Sequence, residues 1–148
     1  LHFHDDTKET MMTKKTWHGA CHCGATAFEA KIDVAQGTTR CNCSICTKAR
    51  FWFAIVQPGD FKLTKGAGQL SDYTWIPAGK SKSHLHYRFC NVCGVRMFAE
   101  GNGSTFYAVS IAVLEGFEQD ADELVATLKY NDGRHDDLKH APADTRLL

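Results

Sequence analysis

The sequence predicts a mainly β protein, a single bent antiparallel β-sheet domain stapled by a zinc ion on four cysteines. Three observations carry that expectation. Short runs of alternating apolar and polar residues recur from Thr16 onward, separated by turns rich in glycine, proline and asparagine. All seven cysteines fall in three tight clusters, Cys21-His22-Cys23-Gly24, Cys41-Asn42-Cys43-Ser44-Ile45-Cys46 and Cys90-Asn91-Val92-Cys93-Gly94. A chain of 148 residues with a formal net charge of zero suits one domain, large enough to bury a core and small enough to gain from a metal brace.

Taken in order, residues 1–15 are polar, carry His2 and His4 and show no period, so they are expected to be a mobile or non-native leader, with Met11 or Met12 as a natural start. An extended run over 17–23 would put Cys21 and Cys23 on one side and turn His22 away. Residues 25–32 alternate, with Thr26, Phe28, Ala30 and Ile32 on one face, and read as a half-buried strand. A short connection at 33–36 leads to extended chain over 38–43, then to one helical turn at 44–49 with Cys43 near its start. Backbone N–H groups there favour thiolates.

The apolar run Phe51-Trp52-Phe53-Ala54-Ile55-Val56 reads as a core strand beside the second cysteine cluster. Gln57-Pro58-Gly59-Asp60 is a turn before a strand at 61–65, and Gly66-Ala67-Gly68 is a break too short for a phosphate loop. Strands are expected at 70–76 and 81–90, with His84 and His86 on one polar face. A hairpin over 95–100 and 105–111 turns at Gly101-Asn102-Gly103-Ser104. A turn-rich return at 112–116, a short helix at 122–126 and a last strand at 127–130 follow. Asp132-Gly133-Arg134-His135 is then a turn on which Arg134 either presents its fork to a carboxylate or ties the tail to the sheet, the second being preferred. Residues 136–148 form a C-terminal tail.

Disulfides fit the cysteines poorly, because seven is odd and a C-x-C pair is too tight for an unstrained bridge. Zinc thiolates fit well, since C-x-C and C-x-x-C turns bring two sulfurs onto one ion, and the glycines after Cys23 and Cys93 supply the positive φ such turns need. Seven ligands make one closed site of four and one of three with an open position. Spacing alone allows two divisions. Cys43 and Cys46 could join Cys90 and Cys93 as a zinc ribbon; or Cys21 and Cys23 could join them, leaving Cys41, Cys43 and Cys46 as a local trio. The second is preferred, because a usable three-ligand site needs its ligands close together.

The three motifs, G-x-C-x-C-G, C-x-C-S-x-C and F-C-x-x-C-G, in this order resemble the glutathione-dependent formaldehyde-activating enzyme family, which includes the centromere protein V type domain. The resemblance spans 16–135 and takes in Gly59-Asp60-Phe61 and Asp132-Gly133-Arg134-His135. It implies a structural zinc on Cys21, Cys23, Cys90 and Cys93, an active-site zinc on Cys41, Cys43 and Cys46, and a fold shared with methionine sulfoxide reductase B. It also implies the activity: a carbon–sulfur lyase type reaction resembling S-(hydroxymethyl)glutathione synthesis, from glutathione and formaldehyde or a related thiol and aldehyde.

Three thiolates make a zinc electron-rich and thiophilic, which favours delivery of a thiol over hydrolysis by zinc hydroxide. The alternative is a non-catalytic, zinc-stapled module for a protein partner. Methionine sulfoxide reduction is disfavoured, since it needs a nucleophilic cysteine outside the metal clusters. Balanced charge with no basic run longer than two residues offers no nucleic-acid surface. No apolar run reaches the roughly 20 residues of a membrane span, and clustered thiols without an export signal predict a cytoplasmic location.

Overall fold

The computed structural model describes residues 14–148, so the leader's His2, His4, Met11 and Met12 lie outside the described residues. The chain is mainly β, as expected, and its strands form two sheets within the one domain. Strands β1 (Lys15–Ala20), β2 (Ala27–Ile32) and β5 (Phe61–Lys65) make a three-stranded antiparallel sheet in the order β1-β2-β5. The larger sheet holds β3 (Thr39–Cys41), β4 (Trp52–Val56), β6 (Leu70–Tyr73), β7 (Leu85–Cys90), β8 (Arg96–Gly101), β9 (Tyr107–Ser110) and β10 (Lys129–Asn131). Its order is β10-β3-β4-β9-β8-β7-β6.

The division into two sheets has a local cause. After β2, a 3-10 turn at Val34–Gln36 and Gly37 at φ 91 redirect the chain, so that β3 leaves the first sheet and pairs with β4 in the second. A side chain at Gly37 would also strike Lys129 and the Thr127 carbonyl, so glycine is required there for space as well as for φ. The expectation of a purely antiparallel sheet fails at one edge. β10 runs parallel to β3, pairing Lys129 with Thr39, Tyr130 with Arg40 and Asn131 with Cys41. Parallel pairing requires a long crossover, here most of the chain, and no local turn announces it.

The predicted alternation of 25–32 holds: Thr26, Phe28, Ala30 and Ile32 are all buried. That face packs between the sheets against Ala54, Val56, Phe98 and Val109. Rings reinforce the junction, with Phe28 centred 5.4 Å from Phe61 and Phe61 stacked 4.0 Å from Tyr107. The first strand stops at Ala20, short of the expected 23, and the hairpin of β8 and β9 turns where glycines 101 and 103 predicted.

The opposite face of the large sheet carries a second, smaller cluster of Cys41, Cys46, Phe51, Tyr87, Ala99 and Ala108. Alternation along β4 and β9 explains the two faces: Ala54 and Val109 look to the first cluster, Phe53 and Ala108 to the second. Helix α1 (Ser44–Ala49), at the expected place, covers part of that face; α2 (Ala121–Ala126) inserts Leu124 into the first core. Among the described residues no helix is long and apolar enough to cross a membrane.

Candidate metal centres

The first pair of cysteines is held by a tight turn, which corrects the expectation of extended chain through Cys23. The Gly24 N–H donates to the Cys21 carbonyl at 3.1 Å, and Gly24 has φ 79, the left-handed conformation that glycine adopts freely. His22 is exposed and Cys23 shares the turn with it. Cys90 and Cys93 sit in a matching turn between β7 and β8, where the Gly94 N–H donates to the Cys90 carbonyl at 2.8 Å and Gly94 has φ 78. The two turns face one another across the sheet junction. One belongs to the three-stranded sheet and the other to the seven-stranded sheet, so an ion held by the four sulfurs would tie the two sheets together.

All four Sγ atoms lie within 4.8 Å of one another, with Cys21–Cys23 and Cys23–Cys90 each 3.7 Å apart. Four bonds of about 2.3 Å in a tetrahedron require sulfur–sulfur edges of about 3.8 Å, so the donor set and spacing fit zinc. Backbone donors are already in place: the Thr26 N–H points to Cys21 Sγ and the Val92 N–H to Cys90 Sγ, each at 3.4 Å. Burial opposes charge on Cys21, but hydrogen bonds from Thr26, Cys23 and Cys90 outweigh it and bring the thiol down to about 5.

The remaining three cysteines also meet, with Sγ atoms within 4.8 Å of one another. Cys41 ends β3, Cys43 is the N-cap of α1 with extended backbone, and Cys46 is buried one turn into the helix. The Thr47 N–H closes that turn onto the Cys43 carbonyl at 2.9 Å, and the Cys43 N–H donates to Cys41 Sγ at 3.4 Å. Hydrogen bonds from the Cys43 and Cys46 thiols, then from the N–H groups of Cys43 and Gly133, pull Cys41 well below the usual thiol range. The same sharing pushes Cys43 and Cys46 above it. One sulfur, Cys41, is thus favoured as thiolate while its two neighbours hold their protons and donate to it, and three sulfurs this close are a set that could hold a cation.

The Asp132-Gly133-Arg134-His135 turn closes over this trio. A Cβ on Gly133 would stand 2.6 Å from Cys41 Sγ and 2.9 Å from Cys43 Cβ, so only glycine lets the turn approach. Asn42, the residue between the first two sulfurs, fastens it. Its amide donates to Asp132 Oδ1 at 2.8 Å, its Oδ1 accepts from the Arg134 N–H at 3.0 Å, and its carbonyl accepts from Arg134 Nε at 2.7 Å. Hydrogen bonds from Asn42 and His135 hold the Asp132 carboxyl below its usual range. Arg134 therefore ties the tail, as preferred from the sequence.

Neither Asn42 nor Gly133 was singled out as a site residue from the sequence. Nothing local marks their contact, because it arises from the parallel pairing of β10 with β3. His84 and His86 stay away from both clusters' ligand sets, and His86 Nδ1 is 2.7 Å from Asp72. Phe51 is buried against Tyr87, with ring centroids 6.3 Å apart, as part of the core beside the trio.

Comparison with known proteins agrees with the motif order. A family model described as glutathione-dependent formaldehyde-activating enzyme matches residues 16–128. A crystal structure of a Rhodobacter sphaeroides protein is similar, at 28% identity and a TM-score of 0.58, over 67% of this chain and 88% of that one. The matched family segment ends before the turn that closes over Cys41, Cys43 and Cys46.

Proposed function

Because the chain belongs to the glutathione-dependent formaldehyde-activating enzyme family, we propose that it joins the glutathione thiol to formaldehyde or a related aldehyde at Cys41, Cys43 and Cys46. The reaction is of carbon–sulfur lyase type. The glutathione sulfur forms a bond to the carbonyl carbon, the carbonyl π pair becomes a hydroxyl by taking up the proton released from sulfur, and S-hydroxymethylglutathione results. No oxidant or reductant is needed, and the reverse step breaks the same bond.

The observation that carries the proposal is the unequal division of sulfur. Cys21, Cys23, Cys90 and Cys93 form a complete tetrahedral donor set for a structural zinc, whereas Cys41, Cys43 and Cys46 form a set one ligand short. Zinc held by that trio would supply a thiophilic centre that keeps an incoming thiol in its nucleophilic, deprotonated form at neutral pH. The chain's own residues do the rest. The Cys43 and Gly133 N–H groups stabilise negative charge on Cys41, and Asn42 fixes the closing turn. The buried cluster of Phe51, Tyr87 and Ala99 keeps water from the inner side of the sulfurs.

The test is the exchange rate between formaldehyde and S-hydroxymethylglutathione, measured by two-dimensional exchange NMR with the zinc-loaded chain. Acceleration well above the protein-free rate is expected. A rate equal to background, with both metal sites filled, would instead make the chain a zinc-braced binding module.

A further inference from the structure

Beside the trio, a groove of about 440 Å³ runs between helix α1 and the chain that follows β6. Ser44, Ile45 and Lys48 line one wall; Tyr73, Trp75 and Arg96 line the other. Ile45 and Trp75 also pack against the cluster holding Cys41 and Cys46, so the groove and the three sulfurs share a wall. Among the described residues no acidic side chain lines it.

Arg96 is the unusual member. Several other cations among the described residues face a carboxylate: Arg88 donates twice to Glu100 Oε1, at 2.9 and 2.7 Å, and Lys15 faces Asp120 at 3.4 Å. Arg96 has no carboxylate or carbonyl partner among the described residues, its Nη1 is buried without a hydrogen bond, and its guanidinium carbon lies 4.9 Å from the Tyr87 ring centroid. A guanidinium over an aromatic face keeps its planar donors for another group. Burial pulls Arg96 below its ordinary value, the opposite of what a resident carboxylate would do, although Tyr87 and Cys46 oppose that shift. Lys48, exposed on the facing helix wall, also lacks an acidic partner among the described residues.

We propose that Arg96, with Lys48 at the rim, anchors a carboxylate of the thiol substrate in this groove, so that the substrate sulfur is presented to Cys41, Cys43 and Cys46. This rests on the proposed thiol chemistry and deepens it by assigning the residues that hold one of the two carboxylates of glutathione. The groove supplies an aromatic wall for the ligand's body, through Trp75 and Tyr73 stacked at 6.2 Å, and two unspent cations for its charge.

The test is calorimetric titration of the zinc-loaded full chain with S-methylglutathione, whose capped sulfur reports the groove rather than thiolate capture, and with its diethyl ester. Binding of the acid is expected to weaken roughly ten- to a hundredfold in Arg96→Gln and roughly threefold in Lys48→Gln, with Arg96→Lys intermediate. The diester should lose a similar factor on the wild-type chain and be insensitive to Arg96→Gln. A guanidinium that only balanced the charge of the three sulfurs would not distinguish acid from ester.

Equal affinity for acid and diester, no binding of the acid at all, or unchanged affinity in Arg96→Gln would overturn the proposal. Since Lys48 is exposed on its helix, Lys48→Gln keeps the test decisive should Arg96→Gln fail to fold. Arg96-dependent binding without catalysed exchange would uphold the groove and sink the reaction; catalysed exchange with Arg96-independent binding would do the reverse.

Discussion

Cys90→Ser is expected to leave the chain without a cooperative thermal transition, or to lower its melting temperature by more than about 15 °C. Cys90 is completely buried, ends β7 opposite Leu70, and has its sulfur 3.7 Å from that of Cys23. The four-sulfur cluster bridges the two sheets, so its loss removes a cross-link as well as a ligand. Binding of a structural zinc is worth on the order of 10 kcal/mol, comparable to the 5–15 kcal/mol that ordinarily separates a folded domain from its unfolded chain. Serine places a neutral oxygen where a soft thiolate is needed, and leaves a hydroxyl buried next to the Val92 N–H. Far-UV circular dichroism against temperature reads the outcome. A melting curve superimposable on that of the parent would show that the four sulfurs do not brace the sheets.

Cys43→Ser is expected to behave in the opposite way, keeping the fold and losing the chemistry. Cys43 is only half-buried and caps α1, a position at which serine is among the best residues. The variant should therefore still melt cooperatively, with a loss in melting temperature well below that of Cys90→Ser. With two sulfurs left in place of three, the remaining site should hold metal weakly, and the catalysed exchange between formaldehyde and S-hydroxymethylglutathione should fall at least about a hundredfold. The same NMR experiment measures it. Retention of full exchange activity by this folded variant would remove the trio from the reaction.

How much of this could be seen in the letters follows from the range of each interaction. The C-x-C-G and C-x-x-C-G turns depend on four and five consecutive residues, and their glycines indeed take positive φ. The alternation of Thr26, Phe28, Ala30 and Ile32 is equally local, and it predicted the buried face of β2. Helix α1 and strand β5 occupy their expected spans for the same reason. Which cysteines meet is not local: Cys23 and Cys90 are 67 residues apart, and their union is favoured over a zinc ribbon by the compactness of the trio it leaves and by the order of the motifs.

Long-range pairing also explains what the sequence concealed. Parallel pairing of β10 with β3 brings Gly133 onto Cys41, a contact without any periodic signature. The place where the chain passes from one sheet to the other is a 3-10 turn and one glycine between β2 and β3, which reads on paper as an ordinary connection. Arg96 looks like any polar residue of an alternating strand. Its distinction is a buried nitrogen with no acceptor, and that exists only once Tyr87 and Trp75 have closed around it.

Metal content tests most directly whether the seven sulfurs divide into a saturated set and an open one. Elemental analysis of the purified chain is predicted to give two zinc ions per chain, falling to one in Cys43→Ser while the fold persists. A single zinc per parent chain, undiminished in Cys43→Ser, would contradict that division.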